Sequence, residues 1–383
     1  MAGLRDLLEL VRAPAALSVP GDVLAGAAAG RALGGRTAGL ACSSVCLYWA
    51  GMAANDWADR HLDAVERPER PIPSGRVAPG TALGVATGLT VAGLALAGLT
   101  GGRRALAVAV PLAGAVWAYD LAAKNTRAGP AAMALCRGLD VLLGAAPGRA
   151  PAAALPAALS VAAHTYLLTA LSRGETAGTT RRTPATTLTA TLALTATVAG
   201  RPTNSAVAGR PPSVAVAGRP TPVAVGGRAA NSVVGRLTST AVAGRPAPAG
   251  VAGDAATAAL PHASEAAVPC GPEPVIPYGP GPAGMPGPAS NADLVRRALG
   301  ESFPAVVRAG LALWYAGQFG SAQTRAVAEP TAARVRDAVT AGIVGLPALQ
   351  GALAAQAGAP RLGLAIAAAV PVARRLARKL SPT

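Results

Sequence analysis

"AANDWADRHLDAVERPERPIPSG", residues 53–75, sets three aspartates within eight positions and lies between two long apolar runs. The runs decide the class. The chain has 383 residues, of which 51% are hydrophobic, 14% charged and 3% aromatic, and its mean hydropathy is +0.40. So little charge at so high a hydropathy points to a membrane protein and away from a soluble globular one. Apolar runs of about 16 to 22 residues, near the length that crosses a bilayer, fall at about 14–33, 36–54, 79–100, 104–119, 130–148, 151–172, 184–200, 304–320, 338–355 and 358–374. The expected fold is therefore all-α, a transmembrane bundle of about nine to ten spans.

The quoted stretch follows the second run. If residues 55–63 prolong that run as a helix, 100° per residue puts Asp56, Asp59 and Asp63 within about 60° of arc, with Asn55 about 40° beyond Asp59. Like charges at these spacings repel, and more strongly where solvation is reduced. A divalent cation relieves the repulsion; ligands that are all oxygen favour magnesium, which takes its remaining ligands from water and substrate phosphate. The competing reading is a solvated acidic helix end balanced by Arg60 and Arg67. His61 points to another face and reads as a solvated neighbour.

Charge and cysteine usage narrow the classes further. The net charge of +16 is nearly all arginine, with Lys124 and Lys379 the only lysines. No basic helix face is interleaved with aromatics, which argues against a nucleic-acid partner. Arg60, Arg67, Arg70 and Arg76 follow the second run, Lys124 and Arg127 the fourth, and Arg173, Arg181 and Arg182 the sixth, so these loops are expected on the cytoplasmic side. Cys42 and Cys46 read as two small core residues, and with Cys136 and Cys270 imply no disulfide framework. The N-terminal run continues without a cleavage-site pattern, as in an uncleaved first span.

Three segments follow from these patterns: transmembrane helices over 1–197, a low-complexity insertion over 198–292 and further transmembrane helices over 293–383. The insertion repeats "VAGRP" from Val198, Val207, Val216 and Val242. Its unit offers no apolar face to stack, so it is expected to be disordered and to carry none of the chemistry. Inside the runs, Asp22, Arg137, Asp140 and His164 lie at apparent membrane depth, where charge faces a cavity or a partner. Arg137 and Asp140, three apart, are candidates to pair with each other or to bind an acceptor. Asp22 has no local partner and is the better candidate for an acceptor pocket, while His164 reads as a hydrogen-bonded packing residue.

"NDWADRHLD", with the form N-D-x-x-D-x-x-x-D, together with "RPERPIPSG" at 67–75, resembles the first signature of the UbiA superfamily of intramembrane prenyltransferases. "YDLAAKN", 119–125, resembles that family's loop after the fourth helix. The resemblance implies a bundle of about nine spans around a cavity open to the bilayer, in a bacterial cell membrane. It further implies that magnesium holds an isoprenoid diphosphate and helps it ionise, and that an aromatic or other lipophilic acceptor attacks the resulting carbocation-like carbon. By the same resemblance Asn55, Asp56, Asp59 and Asp63 would hold metal and diphosphate, with the three aspartates catalytic. Arg67, Arg70 and Lys124 would contact phosphate and Tyr119 would line the site. The family's second Asp-rich motif is missing. The corresponding loop, "YLLTALSRGETAGTTRRTP" at 166–184, offers Glu175 as its only acid, to hold an ion, and Arg173 to replace part of the charge. "SRGE" also resembles a divergent bacterial subgroup that includes the proteins called EboC. The alternative of another class is a UbiA-like accessory or transport protein that binds an isoprenoid without catalysis. A CDP-alcohol phosphotransferase is excluded by the absence of its D-G-x-x-A-R arrangement, and soluble isoprenyl diphosphate synthases by hydropathy.

Overall fold

A computed structural model of the chain describes residues 3–200 and 291–369. Nearly all of the "VAGRP" insertion and the basic tail lie outside these residues. Among the described residues every regular element is helical: α1 (Leu4–Leu10), α2 (Pro20–Ala29), α3 (Gly35–Glu66), α4 (Pro79–Ala118), α5 (Gly129–Ala145), α6 (Leu155–Ser172), α7 (Arg182–Gly200), α8 (Asn291–Tyr315), α9 (Ser321–Ala328) and α10 (Ala332–Gln356), then α11 (Pro360–Ala369). Proline opens several of them, at Pro20, Pro79, Pro130 and Pro156, where its missing N–H has no intrahelical partner to lose.

Four segments of the described chain are long and apolar enough to cross a membrane: α3, α4 with the turn after it, Pro151–Ser172 and α10. A straight α4 of 40 residues would be about 60 Å long, twice the ~30 Å hydrocarbon core. It is not straight. Gly102 sits at φ 69°, ψ −163°, a conformation open to glycine alone. Trp117 Nε1 also donates to Thr90 Oγ1 at 3.0 Å across 27 residues, a separation of about 40 Å along a straight helix. The chain therefore turns back at Gly102, and α4 is two antiparallel legs that match the separate runs expected at 79–100 and 104–119.

The first apolar run, 14–33, is not one straight helix. Residues Ala13–Ser18 form a 3-10 turn, and Pro20 starts a helix of only 10 residues, about 15 Å and half the hydrocarbon thickness. The cysteine reading is corrected as well: Cys42 is exposed and Cys46 half-buried on the outer face of α3, and only Cys136 of the three is buried.

Alanine dominates the buried positions, among them Ala25, Ala27, Ala53, Ala54, Ala97 and Ala105. Lipid tails are as apolar as a protein core, so helix contact in a bilayer rests on close packing, which small side chains permit. α2 packs on α5 and α10, α5 on α6, and α6 on α10, while α3 lies along α4 and touches α2. The helices after the insertion thus close a ring begun by those before it, within one compact unit. The ring surrounds the space in which the polar residues of the spans meet.

Candidate active site

α3 runs unbroken through residue 66, so the aspartates do share a helix, but they do not converge on one point. Asp56 and Asp63, seven residues apart, are only 4% and 2% exposed. Arg70 joins them: its Nη1 donates to Asp63 Oδ2 at 2.6 Å and to Asp56 Oδ1 at 3.3 Å. Arg12 Nη2 donates to Asp56 Oδ1 at 2.9 Å from a left-handed backbone, φ 48° and ψ 51°, which is uncommon for a residue with a side chain. The two aspartates are thus buried in an arginine network rather than solvated. Of the arginines expected to balance them, Arg60 stacks on the Trp57 ring at 4.7 Å, while Arg67, with 53% of its side chain exposed, stands 3.8 Å from Asp63.

The segment "RPERPIPSG" shapes the presentation of Arg70. Ser74 Oγ and Ser74 N both bond the Arg70 carbonyl, at 2.7 and 3.0 Å, and Gly75 takes φ 77° to end the turn. Arg76 then grips α1, donating to Asp6 at 2.9 Å and to both oxygens of Glu9 at 2.7 and 2.9 Å. The Arg76 guanidinium holds both carboxyls below their usual range.

The second leg of α4 ends in a π-helical turn, Tyr119–Ala123, closed by Lys124 N to Tyr119 O at 2.9 Å. Single π turns inside helices recur at functional sites because they re-aim side chains. Here Asp120 accepts from Asn55 Nδ2 at 3.1 Å and Lys124 Nζ lies 2.6 Å from Asp59 Oδ1. Positions 55 and 59 of α3 thus meet 120 and 124. Gly51 permits the approach, since a Cβ there would sit 2.7 Å from Val116 and 3.2 Å from the Asp120 carboxylate. Arg12 and Asp120 were not singled out by sequence; the only signal for Asp120 was its place inside "YDLAAKN".

The loop after α6 is brought near by Arg173, which donates to the Thr126 carbonyl. Glu175 is tied to α10 instead: its carbonyl accepts from Arg336 Nη1 at 2.7 Å. Burial pushes its carboxyl up, with Arg336 opposing. Among the described residues no three His, Cys, Asp or Glu side chains converge as a ready metal site. Donor chemistry still suits magnesium: the oxygens of Asn55, Asp56, Asp59, Asp63 and Asp120 are hard ligands, and a cation that takes one or two carboxylates plus substrate phosphate needs no protein cage.

Behind this cluster lies a cavity of about 490 Å³, bounded by Gly21, Tyr48, Met52, Arg137, His164 and Gln350 among others. A smaller one of about 80 Å³ reaches Tyr119, Asp120 and Asp140, and shares Tyr48, Met52, Met133 and Arg137 with the first. Of the two alternatives for Arg137 and Asp140, their pairing with each other is replaced by other partners. Arg137 Nε lies 2.8 Å from Asp22 Oδ2, and Asp140 accepts from Ser44 Oγ at 2.7 Å. Asp22, which lacked a partner in sequence, accepts from Gln350 Nε2 as well, at 2.7 Å. Its partners come from α5 and α10, far along the chain. His164 Nδ1 meets the Tyr315 hydroxyl at 2.9 Å, in keeping with a hydrogen-bonded packing residue.

Residues 16–200 match the UbiA prenyltransferase family. The bacteriochlorophyll synthase 33 kDa chain of Cereibacter sphaeroides is 37% identical over 115 residues, 28% of this chain and 37% of that protein. The digeranylgeranylglyceryl phosphate synthase of Methanopyrus kandleri is 38% identical over 128 residues, 32% of this chain and 45% of that protein. The enzyme of the same name from Methanothrix thermoacetophila is 51% identical over 61 residues, 16% and 23% of the two chains. The chain spans less than half the length of each of these relatives. A solved structure concerned with digeranylgeranylglyceryl phosphate synthase overlays with a TM-score of 0.41 at 17% identity, covering 50% of this chain and 75% of that one.

Proposed function

The chain carries a UbiA prenyltransferase family domain over residues 16–200, and on that premise we propose that it moves a prenyl group from an isoprenoid diphosphate to a lipophilic acceptor within the membrane. The observation that carries the reading is the meeting of α3 and the π turn, where Asn55 faces Asp120 and Asp59 faces Lys124, beside an apolar cavity. A diphosphate needs positive charge and a prenyl tail needs a dry apolar space; the two adjoin here.

In this reading Arg12, Arg70 and Lys124 exchange their carboxylate partners for phosphate oxygens. Arg67 and Arg173 add positive charge at the rim, and Tyr119 lines the passage from cluster to cavity. Asp56, Asp59 and Asp63 with Asn55, and Glu175 nearer the rim, would hold magnesium, which when bound would supply further positive charge against the departing diphosphate. The bond from the prenyl carbon to oxygen breaks with its electron pair on diphosphate. An electron pair of the acceptor forms the new bond, and the proton the acceptor loses goes to the released diphosphate. The apolar walls exclude water, which would otherwise capture the carbon. We place the whole in a bundle of nine to ten spans in a bacterial cell membrane, with the aspartate loops on the cytoplasmic side and residues 198–292 as an insertion without a chemical role.

The test is magnesium-dependent diphosphate release by the protein in lipid nanodiscs, with a panel of prenyl diphosphates and acceptors, beside an Asp59→Asn/Asp63→Asn variant. Release by the wild type and its loss in the variant are expected. A second reading, an isoprenoid-binding protein without turnover, is favoured by the loop 166–184, whose only acid is Glu175. Donor binding with no release from any mixture would establish that reading in place of the first.

A further inference from the structure

The two ends of the bundle use their charges differently. Every ion pair among the described residues lies at the end that carries the aspartate cluster, except that of Arg137 with Asp22 inside the spans. At the opposite end stand Arg31, Arg36, Arg103, Arg104, Arg149 and Arg361, all exposed, and none of them shares in these pairs. The segments that form that end, 28–38, 98–106, 144–154 and 356–362, hold no aspartate or glutamate. α8, which returns the chain from the insertion, opens with two acids and two arginines, Asp293, Glu301, Arg296 and Arg297, and residues 201–290 hold six arginines against three acids. No neighbouring stretch of sequence supplies the missing counter-charge.

Contacts between the helices gather these arginines at one level. Ala150 N donates to the Gly30 carbonyl at 3.2 Å, which joins the turn of Arg149 to that of Arg31, whose backbone is left-handed at φ 55°. Arg361 opens α11, which packs through Ile366 on Ala28 of α2. A Cβ on Gly39 would stand 2.2 Å from Thr100, so the first turns of α3, with Arg36, lie against the reversal of α4 that carries Arg103 and Arg104. Arg36 and Asp63 lie on one unbroken helix of 32 residues, about 40 Å apart, and a bilayer measured across its head groups is about 40 Å thick as well. With the aspartates at one membrane surface, the arginines stand at the other.

Charge and surroundings narrow the partner. Six cations outside any ion pair sum to a positive field that attracts an anion. Large apolar side chains lie exposed among them: Leu33 at 47%, Leu99 at 84% and Leu155 at 49%. A soluble anion gains nothing from these leucines, whereas a lipid meets them with its tails and the arginines with its phosphate. The same four segments contain no Trp or Tyr, the residues that would stack the bases of a nucleic acid or anchor this end at the interface in place of arginine.

We propose that the end of the bundle opposite the aspartate cluster is a docking surface for anionic phospholipids, whose phosphates its six arginines bind at head-group level. A guanidinium suits that task because its planar fork donates two parallel hydrogen bonds to a phosphate. The inference requires that the bundle spans a membrane and is independent of prenyl transfer.

Lipid association tests it without any turnover. Spin-labelled phosphatidylglycerol and phosphatidylcholine would be compared for association with the full chain reconstituted in phosphatidylcholine bilayers. One arginine near the surface is worth about fivefold, so several acting together are expected to favour phosphatidylglycerol by about tenfold or more, a preference that shrinks as salt rises. Changing all six arginines to glutamine should lower it by about fivefold or more, with the thermal unfolding midpoint in phosphatidylcholine unchanged as the control for folding. Should that variant fail to fold, Arg31→Gln/Arg149→Gln/Arg361→Gln and Arg36→Gln/Arg103→Gln/Arg104→Gln are read separately, each with an expected loss of about threefold or more. Equal association of the two lipids with the wild type would overturn the proposal, as would folded variants that keep the wild-type preference. Loss of the preference in inorganic phosphate, but not in chloride of the same ionic strength, would assign the arginines to a soluble anion and overturn the lipid.

Discussion

Arg70 bonds two buried aspartates at once, and its removal would leave Asp63 facing only a distant Arg67. Breaking a buried ion pair from one side costs about 3 kcal/mol, since a charge stays behind uncompensated. Arg70→Ala is therefore expected to lower stability by about that much, and Arg67→Ala by less than about 0.5 kcal/mol, because its contact is long and exposed. Chemical unfolding in detergent compares the two; equal effects would remove Arg70 from its bridging role. The contrast also shows what one sequence can disclose about a site. Asn55, Asp56, Asp59 and Asp63 announced themselves because local spacing brings them together on a single helix. Arg12 and Asp120 did not, because their partners lie 44 and 65 residues away and no local rule joins them. Asp22 has no local partner either; the two it meets, Arg137 and Gln350, come from α5 and α10 and no local rule joins them to it.

Among the elements, the reversal in α4 and the attachment of α1 each have a measurable cost. Gly102 holds a conformation that costs a residue with a Cβ about 1–3 kcal/mol. Gly102→Ala should destabilise by that amount without altering donor affinity. An unchanged unfolding midpoint would mean that the two legs do not depend on this turn. α1 is held to the loop after α3 through Asp6, Glu9 and Arg76. Both carboxyls titrate below their ordinary values in the folded chain, so their contribution is complete above the unfolded values near about pH 4. It disappears as pH falls through the lowered folded values. Hydrogen exchange of the α1 amides should accelerate in that acidic window, and exchange independent of pH there, after correction for the intrinsic rate, would remove the staple. Helix positions in general were legible from apolar runs and prolines. The first run was not: its hydropathy is that of a span, but Pro20 and the turn before it split the segment, and hydropathy averages carry no such break.

For the whole molecule, the ring of α2, α5, α6 and α10 makes the cavity a joint product of the two ends of the sequence. α7 and α8, which flank the insertion, pack on each other. Replacing residues 201–290 by a short Gly/Ser link should therefore preserve donor binding, and loss of binding on that deletion would assign the insertion a part in the site. The central claim is that the diphosphate is held where α3 meets the π turn. Asp120, buried and bonded to Asn55, belongs to that junction and borders the smaller cavity. Diphosphate release by Asp120→Asn in nanodiscs, at saturating donor and magnesium, is the most direct measurement: a fall of about a hundredfold, of the order seen when one charge-stabilising group is lost, is the predicted result. Release at the wild-type rate would contradict the account.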